Sequence, residues 1–420
     1  MTGVPSSRVR KVVILNDRSE ALGGATSLAL LSARLLHAAG LKVVYVTGDS
    51  GNRCDLPDGV KVIPLGGRPL LEQPFGRRVR DGFDNEAAFR LVSDVIAAED
   101  SPSTVYHLHG WAQTLSPAVF RALTPVDGRL VVSAHDFSLV CPNGSYFNFQ
   151  TEQVCSLTPL SAACLATHCD KRKRAEKAFR VLRILRRRQV FPLTQTKALV
   201  AMIHPAMADW IVRAGADRSR LRVLRNPVTP FRRQRVAAEQ NSDVFFIGRL
   251  QPEKGAMLAA EAAQAVGRRL RVIGDGPERD ALTQRFPNVV LEGWRSHAEI
   301  AEFINEARAL IMPSRLPEPF GLVALEALQS GIPLIAFSDS FVAREASGVG
   351  AAFLAQARTP AALETAVRQL DSDPVVRRAS LAAHDQCRDF ASTPESWRDA
   401  MIALYEEQLS LAPALSGAGA

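Results

Sequence analysis

The chain has 420 residues, of which 47% are hydrophobic and 22% are charged. These values exclude a disordered, collagenous or coiled-coil protein, and the length predicts two domains. Lysine and arginine number 51 against 43 acidic residues, and the resulting net charge of +8 favours anionic partners such as phosphorylated substrates, an acidic membrane surface or nucleic acid. No stretch reaches the roughly 18 apolar residues of a membrane span, and Met1–Val13 lacks the pattern of a signal peptide. We therefore expect a cytoplasmic protein.

Short apolar runs alternate with helical patterns along the first half of the chain. This alternation is typical of parallel sheets covered by helices, and the β-branched content of the runs suits strands buried on both faces. A helix is predicted between the first two runs, over Gly23–Gly40, where it opens with two glycines and ends at a third. The predicted strands are Lys11–Asp17, Leu41–Gly48, Gly59–Leu65, Thr104–His109 and Arg129–Ala134.

Four of the six cysteines follow the fifth predicted strand within 29 residues. Their spacing contains no Cys-x2-Cys pair, which zinc sites commonly use. Three alternatives therefore remain for this segment: a structural zinc site, reduced thiols that pack a long loop, or a disulfide. The four cysteines are Cys141, Cys155, Cys164 and Cys169.

A strongly basic stretch comes next and contains ten basic residues and one acidic residue between Lys171 and Arg188. Ala178, Val181, Leu182 and Leu185 recur at helical spacing, which predicts a basic amphipathic helix. Such a helix is either solvated with its apolar stripe packed in the domain, or it binds an anionic lipid surface or a diphosphate-linked lipid acceptor. The residues assigned to this surface are Lys171, Arg172, Lys173, Arg174, Arg186, Arg187 and Arg188.

The second half of the chain restarts the strand and helix pattern after an arginine-rich segment with two prolines. Helices are predicted from Ser296, where Glu299 completes a capping box, and over Phe320–Ser330. The predicted strands are Asp243–Gly248, Leu270–Gly274, Asn288–Glu292, Ala309–Pro313 and Ile332–Phe337.

Two groups of residues in this second half indicate a ligand site. Arg249 and Lys254 lie between a strand end and the start of a helix, where free backbone N–H groups and two cations suit a diphosphate. Glu318, held in a loop by two prolines, is followed eight positions later by Glu326 on a helix, so two carboxylates can reach different parts of one ligand. Gly274 ends another strand nearby. Solvated surface charges are the alternative interpretation of each group taken alone.

Taken together, these motifs resemble the retaining GT-B glycosyltransferases of family 4, and the resemblance covers nearly the whole chain. It implies an α/β fold of two Rossmann-like αβα domains that face each other across a cleft, with the C-terminal helix returning to the N-terminal domain. The expected boundaries are an N-terminal domain over residues 1–221 with an insertion at about 137–190, a linker over 222–240, a nucleotide-sugar domain over 241–392, and the helix and tail over 393–420.

The resemblance also implies roles for individual residues around a UDP- or GDP-sugar. Arg249 and Lys254 are expected to neutralise the diphosphate, Glu318 to hold the donor sugar, and Glu326 to bind the ribose. His135, at a strand end, is expected to contact sugar or acceptor, and strand alternation places His109 on the acceptor side. The remaining expected donor contacts are Gly23, Gly24, Gly274, Trp294, Phe320, Gly321 and Leu322.

The implied reaction transfers a sugar with retention of anomeric configuration to a saccharide or lipid-linked saccharide, in surface polysaccharide or glycoconjugate synthesis. It requires no metal or other cofactor, and no Asp-x-Asp motif is present in the sequence. Nucleic acid is not expected as a partner, because the basic helix lacks interleaved aromatic residues. Two alternatives are a sugar-nucleotide epimerase of the same architecture and a catalytically silent nucleotide-sugar sensor or membrane scaffold.

Overall fold

Parallel β-sheets form the centres of two compact units in the chain. The computed structural model describes residues 8–21 and 23–411, so the beginning of the Met1–Val13 segment and residues 412–420 of the expected C-terminal tail lie outside the described residues. The first unit contains the described residues up to Thr151, then Cys155–Leu224, and those from Pro394 onwards. The second contains Arg225–Thr393 together with Glu152–Val154.

The first unit is built around a seven-stranded parallel sheet with the strand order β3-β2-β1-β4-β5-β8-β9. The order reverses direction between β1 and β4, and ligands of open parallel sheets bind beyond the carboxyl ends of strands at such a point. A separate two-stranded sheet joins β6 and β7. The strands are β1 Lys11–Asn16, β2 Lys42–Thr47, β3 Lys61–Pro64, β4 Thr104–Leu108, β5 Leu130–Ala134, β6 Phe147–Asn148, β7 Gln153–Val154, β8 Leu199–Met202 and β9 Leu221–Val223.

Helices cover this sheet, and the first of them begins and ends as the glycines predict. Gly23 is its N-cap, and Gly40 has a φ of 87° just beyond its C-terminus, where its N–H donates to the His37 carbonyl. The helices of this half are α1 Gly24–Ala38, α2 Phe75–Phe83, α3 Glu86–Glu99, α4 Ala118–Leu123, α5 Ala162–Ala166, α6 Arg174–Val190 and α7 Ala208–Arg213.

The second unit has a six-stranded parallel sheet with the order β12-β11-β10-β13-β14-β15, which reverses between β10 and β13. The capping box predicted at Ser296 is present, since Ser296 and Glu299 bond reciprocally. The strands are β10 Asp243–Ile247, β11 Leu270–Ile273, β12 Val289–Gly293, β13 Ala307–Met312, β14 Leu334–Phe337 and β15 Ala352–Ala355, and the helices are α8 Ala256–Ala265, α9 Arg279–Arg285, α10 His297–Phe303, α11 Leu322–Gln329, α12 Phe341–Gly348, α13 Pro360–Arg368 and α14 Asp373–Gln386.

The last described helix, α15 (Pro394–Leu411), packs on the first unit, which confirms the predicted return of the C-terminal helix. Trp397, Met401 and Tyr405 are fully buried on it and join the apolar core that Val12 and Ile14 of β1 share with α1. Burying large aromatic side chains is worth several kcal/mol, so this contact is part of the core of the unit. Within the described residues, no helix has the length and apolar character that a membrane crossing requires.

Candidate active site

The loops after β10 and β13 bring two predicted site residues into direct contact. Lys254 follows β10 in a short 3₁₀ turn, and Glu318 follows β13. The Lys254 ammonium donates to both carboxylate oxygens of Glu318 at 3.0 Å, and each side chain is about a quarter exposed. Because β10 and β13 flank the point where the strand order reverses, a charged pair lies where the topology favours a ligand.

Close backbone packing between loops holds this edge of the sheet together. A Cβ atom on Gly274, which follows β11, would lie 1.9 Å from the Gly248 carbonyl oxygen. A Cβ on Gly255 would lie 2.4 Å from the Pro313 carbonyl oxygen, and its φ of 78° is unfavourable for other residues. Glycine at both positions therefore allows the strand-end loops to pack closely. This packing alone explains why position 274 is a glycine, without a contact to a ligand.

Glu326 projects from α11 and is largely buried. Burial raises the pKa of its carboxyl group to about 7. The Nε2 atom of His297 lies 3.8 Å from its Oε1 atom, while the same nitrogen lies 3.1 Å from the Thr229 carbonyl oxygen. The sequence analysis did not single out His297, although it is the first residue after the capping serine of α10. A buried carboxyl group with a perturbed pKa is typical of functional sites.

The other predicted donor contacts lie at strand ends or helix starts. Arg249 is exposed two residues after β10, and Trp294, 73% exposed, follows β12. Gly321 is the N-cap of α11 with a φ of 70°, so the helix begins at Leu322 and not at Phe320 as predicted. Phe320 itself is buried. Gly23 and Gly24 are the exposed N-cap and first residue of α1.

Three histidines, two buried and one half-buried, form a group at the carboxyl edge of the first sheet. His107 and His109 share one face of β4, as strand alternation predicts, with ring centroids 4.0 Å apart. His109 Nδ1 lies 3.1 Å from His135 Nε2, and His107 contacts Tyr405 of α15 at 2.7 Å. Burial lowers the pKa of His107 to about 3 and of His135 to about 4, and that of His109 falls well below its ordinary value. All three rings are therefore neutral at pH 7.

His109, predicted to lie on the acceptor side, is buried in the interior of the first unit. His109 is only 5% exposed, and its two ring nitrogens face His135 and the Ser32 hydroxyl. Strand alternation predicts on which face of the sheet a side chain lies, but not how deeply it is buried. Here the His135 side chain covers His109. His135 itself is half-buried, and its Nδ1 atom has no hydrogen-bond partner within residues 8–21 and 23–411.

Comparisons with known proteins match both halves of the chain. Residues 241–373 match the family of glycosyl transferases group 1, and residues 23–227 match the glycosyl transferase 4-like domain. The chain belongs to the family 4 glycosyltransferases.

Relatives of this chain include two proteins of Mycobacterium tuberculosis. Glycogen synthase is 30% identical over 46% of this chain and 47% of its own length, and GDP-mannose-dependent alpha-mannosyltransferase is 34% identical over 38% and 41%. The chain thus spans less than half the length of these curated relatives.

Two solved structures share the fold of this chain over most of both chains. Sucrose-phosphate synthase from Thermosynechococcus elongatus has a TM-score of 0.69 at 16% identity and covers 96% of this chain and 99% of its own. Anabaena HepE in complex with UDP has a TM-score of 0.62 at 14% identity and covers 94% and 100%. These neighbours support the predicted fold of two Rossmann-like α/β domains.

The cysteine segment does not fit a metal ion. Cys141, Cys155, Cys164 and Cys169 line one small cavity, and all four are free thiols. The buried ammonium of Lys177 lies 3.1 Å from the sulfur of Cys169 and 4.0 Å from that of Cys164. A cation at this position opposes binding of Zn²⁺, and no cluster of metal ligands occurs among the described residues. The structural zinc considered from the sequence is therefore not supported, and the disulfide alternative does not match the free thiols.

The basic segment forms a helix as predicted, but a different stripe is buried. Lys171, Arg172 and Lys173 precede α6, and Arg174 is its first residue. Lys177, Val181, Ile184 and Arg187 face the interior. Arg187 is 3% exposed and donates to the Phe191 carbonyl, so it is not part of a membrane surface.

Exposed apolar side chains occur on both α2 and α6. Phe75, Val79 and Phe83 recur every four residues along α2, and Phe75 is 79% exposed. Leu182 and Leu185 of α6 are about half exposed. The two helices pack against each other, since a Cβ on Gly82 of α2 would lie 2.4 Å from the Phe179 ring of α6. We call the exposed residues Phe75, Val79, Phe83, Leu182 and Leu185 the α2–α6 surface.

Proposed function

We propose that the protein is a retaining glycosyltransferase that moves a sugar from a UDP- or GDP-sugar to a saccharide or lipid-linked saccharide without a catalytic metal. The setting is surface polysaccharide or glycoconjugate synthesis. The observation that carries the proposal is the Lys254–Glu318 pair on the two loops at the reversal point of the second sheet. Relatives named for GDP-mannose dependence and for a complex with UDP support a nucleoside diphosphate donor.

The Lys254–Glu318 pair provides one group for each of the two parts of the donor, the diphosphate and the sugar, that separate in the reaction. The Lys254 ammonium and the exposed Arg249 guanidinium are suited to the diphosphate, whose negative charge grows as it leaves. The Glu318 carboxylate is suited to accept hydrogen bonds from the hydroxyls of the transferred sugar. In the structure the Lys254 ammonium is paired with the Glu318 carboxylate. A bound diphosphate would give this ammonium a second negatively charged group to contact at the same position.

Glu326 is assigned to the ribose of the donor. A carboxylate accepts two hydroxyl hydrogen bonds, which matches the vicinal ribose hydroxyls. The carboxyl group is largely buried, and within the described residues only His297 lies within ion-pair distance of it. Hydrogen bonds from ribose would stabilise the charged form, which burial disfavours.

The direct test is a product analysis with purified protein. UDP-glucose, UDP-N-acetylglucosamine and GDP-mannose are each incubated with a panel of saccharide and lipid-linked acceptors in buffer with EDTA, and the product is examined by proton NMR. We expect an axial-linked product from an axial-linked donor and full activity in EDTA. An inverted product or loss of activity on chelation would contradict the proposal, and epimerisation of the donor without acceptor would identify the isomerase alternative.

We further propose that the α2–α6 surface docks on an anionic membrane, which would present a lipid-linked acceptor. Two phenylalanines and three aliphatic side chains are exposed on two packed helices. Lys171, Arg172, Lys173 and the exposed Arg188 lie on or beside α6 and suit acidic headgroups. An exposed apolar face with basic residues beside it is typical of helices that lie in a membrane interface.

Vesicle sedimentation tests the docking proposal. The wild-type protein should sediment with phosphatidylglycerol vesicles and less with phosphatidylcholine vesicles. The double substitution Phe75→Ser and Phe83→Ser should lower the partition coefficient at least tenfold, because each exposed ring contributes more than about 1 kcal/mol when buried in lipid. Leu381→Ser, on an exposed apolar residue of α14 in the second unit, is the matched control. Equal binding of the double variant and the control would contradict the proposal.

A further inference from the structure

An open groove of about 350 Å³ lies between α5 and α6 in the first unit. Its volume falls within the range of roughly 300–1,000 Å³ that is typical of pockets for small molecules. Leu165 on α5 and Leu182 on α6 line the groove, and each side chain is about half exposed. The groove therefore presents apolar walls that a ligand can cover.

Hydrogen bonds from one buried lysine hold the two walls of the groove together. Lys177 of α6 is 5% exposed, and its ammonium donates to the carbonyl oxygens of Cys164 at 2.6 Å and of Thr167 at 2.8 Å. Cys164 belongs to α5, and Thr167 directly follows that helix. Because a buried ammonium requires such partners, these bonds fix α5 against α6. The groove is therefore formed by the fold itself, before any ligand binds.

The polarity of the groove changes along α6. Arg174, Ala178, Val181 and Leu182 line it in this order, starting from the first residue of the helix. The eight residue steps from Arg174 to Leu182 cover roughly 12 Å of α-helix. One end of this wall thus carries a guanidinium group, and the other end is aliphatic. No acidic side chain lines the groove within the described part of the chain.

The guanidinium of Arg174 has no structural role in the unit. It is exposed, and nothing in residues 8–21 and 23–411 forms a hydrogen bond or an ion pair with it. A cation in the first turn of a helix is unfavourable, because the helix dipole is positive at that end. Arg174 therefore costs α6 some stability and leaves a charged donor available for an anion at the end of an apolar groove.

We propose that this groove binds the hydrocarbon chain of a lipid phosphate, with the phosphate beside Arg174 and the chain extending towards Leu182. A guanidinium forms strong, charge-assisted hydrogen bonds with a phosphate. Leu182 also belongs to the α2–α6 surface, so the apolar end of the groove is continuous with the surface that we propose to dock on a membrane. The inference rests on the proposed transfer to a lipid-linked saccharide, and it names the part of the protein that holds the lipid.

Isothermal titration calorimetry with dodecyl phosphate below its critical micelle concentration tests this binding without vesicles, nucleotide sugar or turnover. We expect saturable binding to the wild-type protein. Ala178→Trp places an indole ring in the groove and should lower the affinity at least tenfold, because Ala178 is an exposed lining residue. Ala175→Trp is the matched control, on an exposed residue of the same helix that does not line the groove. No binding to the wild-type protein, or equal affinities of the two variants, would overturn the proposal.

The position of the phosphate has a test of its own. Arg174→Gln should lower the affinity for dodecyl phosphate about fivefold, as expected for one cation beside a lipid phosphate. Arg378→Gln, on an exposed arginine of α14 in the second unit, should leave this affinity unchanged. Inorganic phosphate that binds as tightly as dodecyl phosphate would show that the chain contributes nothing, and this result would contradict the proposal.

Kinetics connect the groove to the reaction. With a lipid-linked acceptor, Ala178→Trp should raise the KM for that acceptor about tenfold and leave the KM for the nucleotide sugar unchanged. An unchanged KM for the acceptor would contradict the role of the groove in acceptor binding. The calorimetry requires no transferase activity, so a protein that binds dodecyl phosphate in the groove but transfers no sugar would refute the proposed function alone.

Discussion

The carboxyl edges of the two sheets differ in charge: the groups at the first are neutral, and those at the second are ionised. At the first sheet, burial keeps three imidazoles neutral, and their ring nitrogens form hydrogen bonds with one another and with hydroxyl groups. At the second sheet, Lys254 and Glu318 form an ion pair, and Arg249, which precedes Lys254 by five positions, is exposed. Two parallel sheets of similar topology thus present uncharged hydrogen-bonding groups in one unit and charges in the other. The neutral edge suits hydroxyls, and the charged edge suits a diphosphate.

Removing the charge at the second edge should have the largest effect. Lys254→Met deletes the cation that we propose for the leaving diphosphate, and it leaves the Glu318 carboxylate without its partner. We expect kcat/KM to fall roughly 100- to 1,000-fold, as for the loss of other transition-state charge contacts. Steady-state kinetics with the nucleotide sugar identified in the product assay measure this effect.

The control for this prediction is a cation at the opposite edge of the same sheet. Arg269 pairs with Asp243 at the amino end of β10, and Arg269→Gln should leave kcat/KM within about twofold of wild type. Equal losses in Lys254→Met and Arg269→Gln would show that the charge near β10 acts on stability and not on the reaction.

A smaller effect is expected from the pH dependence of Glu326. Its raised pKa of about 7 means that the carboxyl group is protonated at pH 6 and charged at pH 8. If the charged form binds ribose, the affinity for a nucleotide sugar should rise about tenfold between pH 6 and pH 8. A nucleotide sugar is the correct probe, because its diphosphate is esterified at both ends and lacks the ionisation near pH 6 of a terminal phosphate.

Glu326→Gln is the matched variant for this titration. It keeps the shape of the side chain and removes the ionisation, so its affinity should be lower at pH 8 and flat across the range. Isothermal titration calorimetry measures both curves. A wild-type affinity that does not change with pH, or a slope that persists in Glu326→Gln, would refute the assignment of the ribose to Glu326.

The smallest effect is expected at the neutral edge. The pKa of His135 is about 4, so only a few per cent of the ring is protonated at pH 5.5. In the Glu326→Gln background, protonation of His135 should change kcat by less than twofold between pH 8 and pH 5.5. A steep loss that is absent from the double variant Glu326→Gln and His135→Asn would mean that His135 titrates, which would contradict the neutral character of this edge.

The sequence predicted most of the sheet architecture, and the strands it missed are short. All ten predicted strands are present with ends within about two residues. The five missed strands have two to four residues each, too few for a clear alternation pattern; they are β6, β7, β8, β9 and β15. β9 also includes the first residues of the expected linker, where the many arginines make an apolar strand pattern hard to recognise.

The sequence predicted which residues belong to the candidate site, but not which of them contact each other. Lys254 and Glu318 were assigned from their positions after strands, yet their pairing joins positions 64 residues apart. On α6, Leu182 fitted the helical period as well as Val181, and only packing shows that Val181 is buried while Leu182 is exposed. The burial of Lys177 beside the cysteines, which opposes zinc, depends on the same tertiary packing.

The central claim is that the charged edge of the second sheet binds a nucleoside diphosphate. A thermal-shift screen of UDP, GDP, ADP, CMP and dTDP and their sugar conjugates tests it most directly, since binding to the native state at a hundredfold excess over Kd adds about 2.7 kcal/mol of stability. We predict that one nucleotide diphosphate and its sugars raise the Tm of the wild-type protein, and that Lys254→Met reduces this shift while Arg269→Gln keeps it. No shift with any nucleotide, or the same shift in Lys254→Met, would contradict the claim.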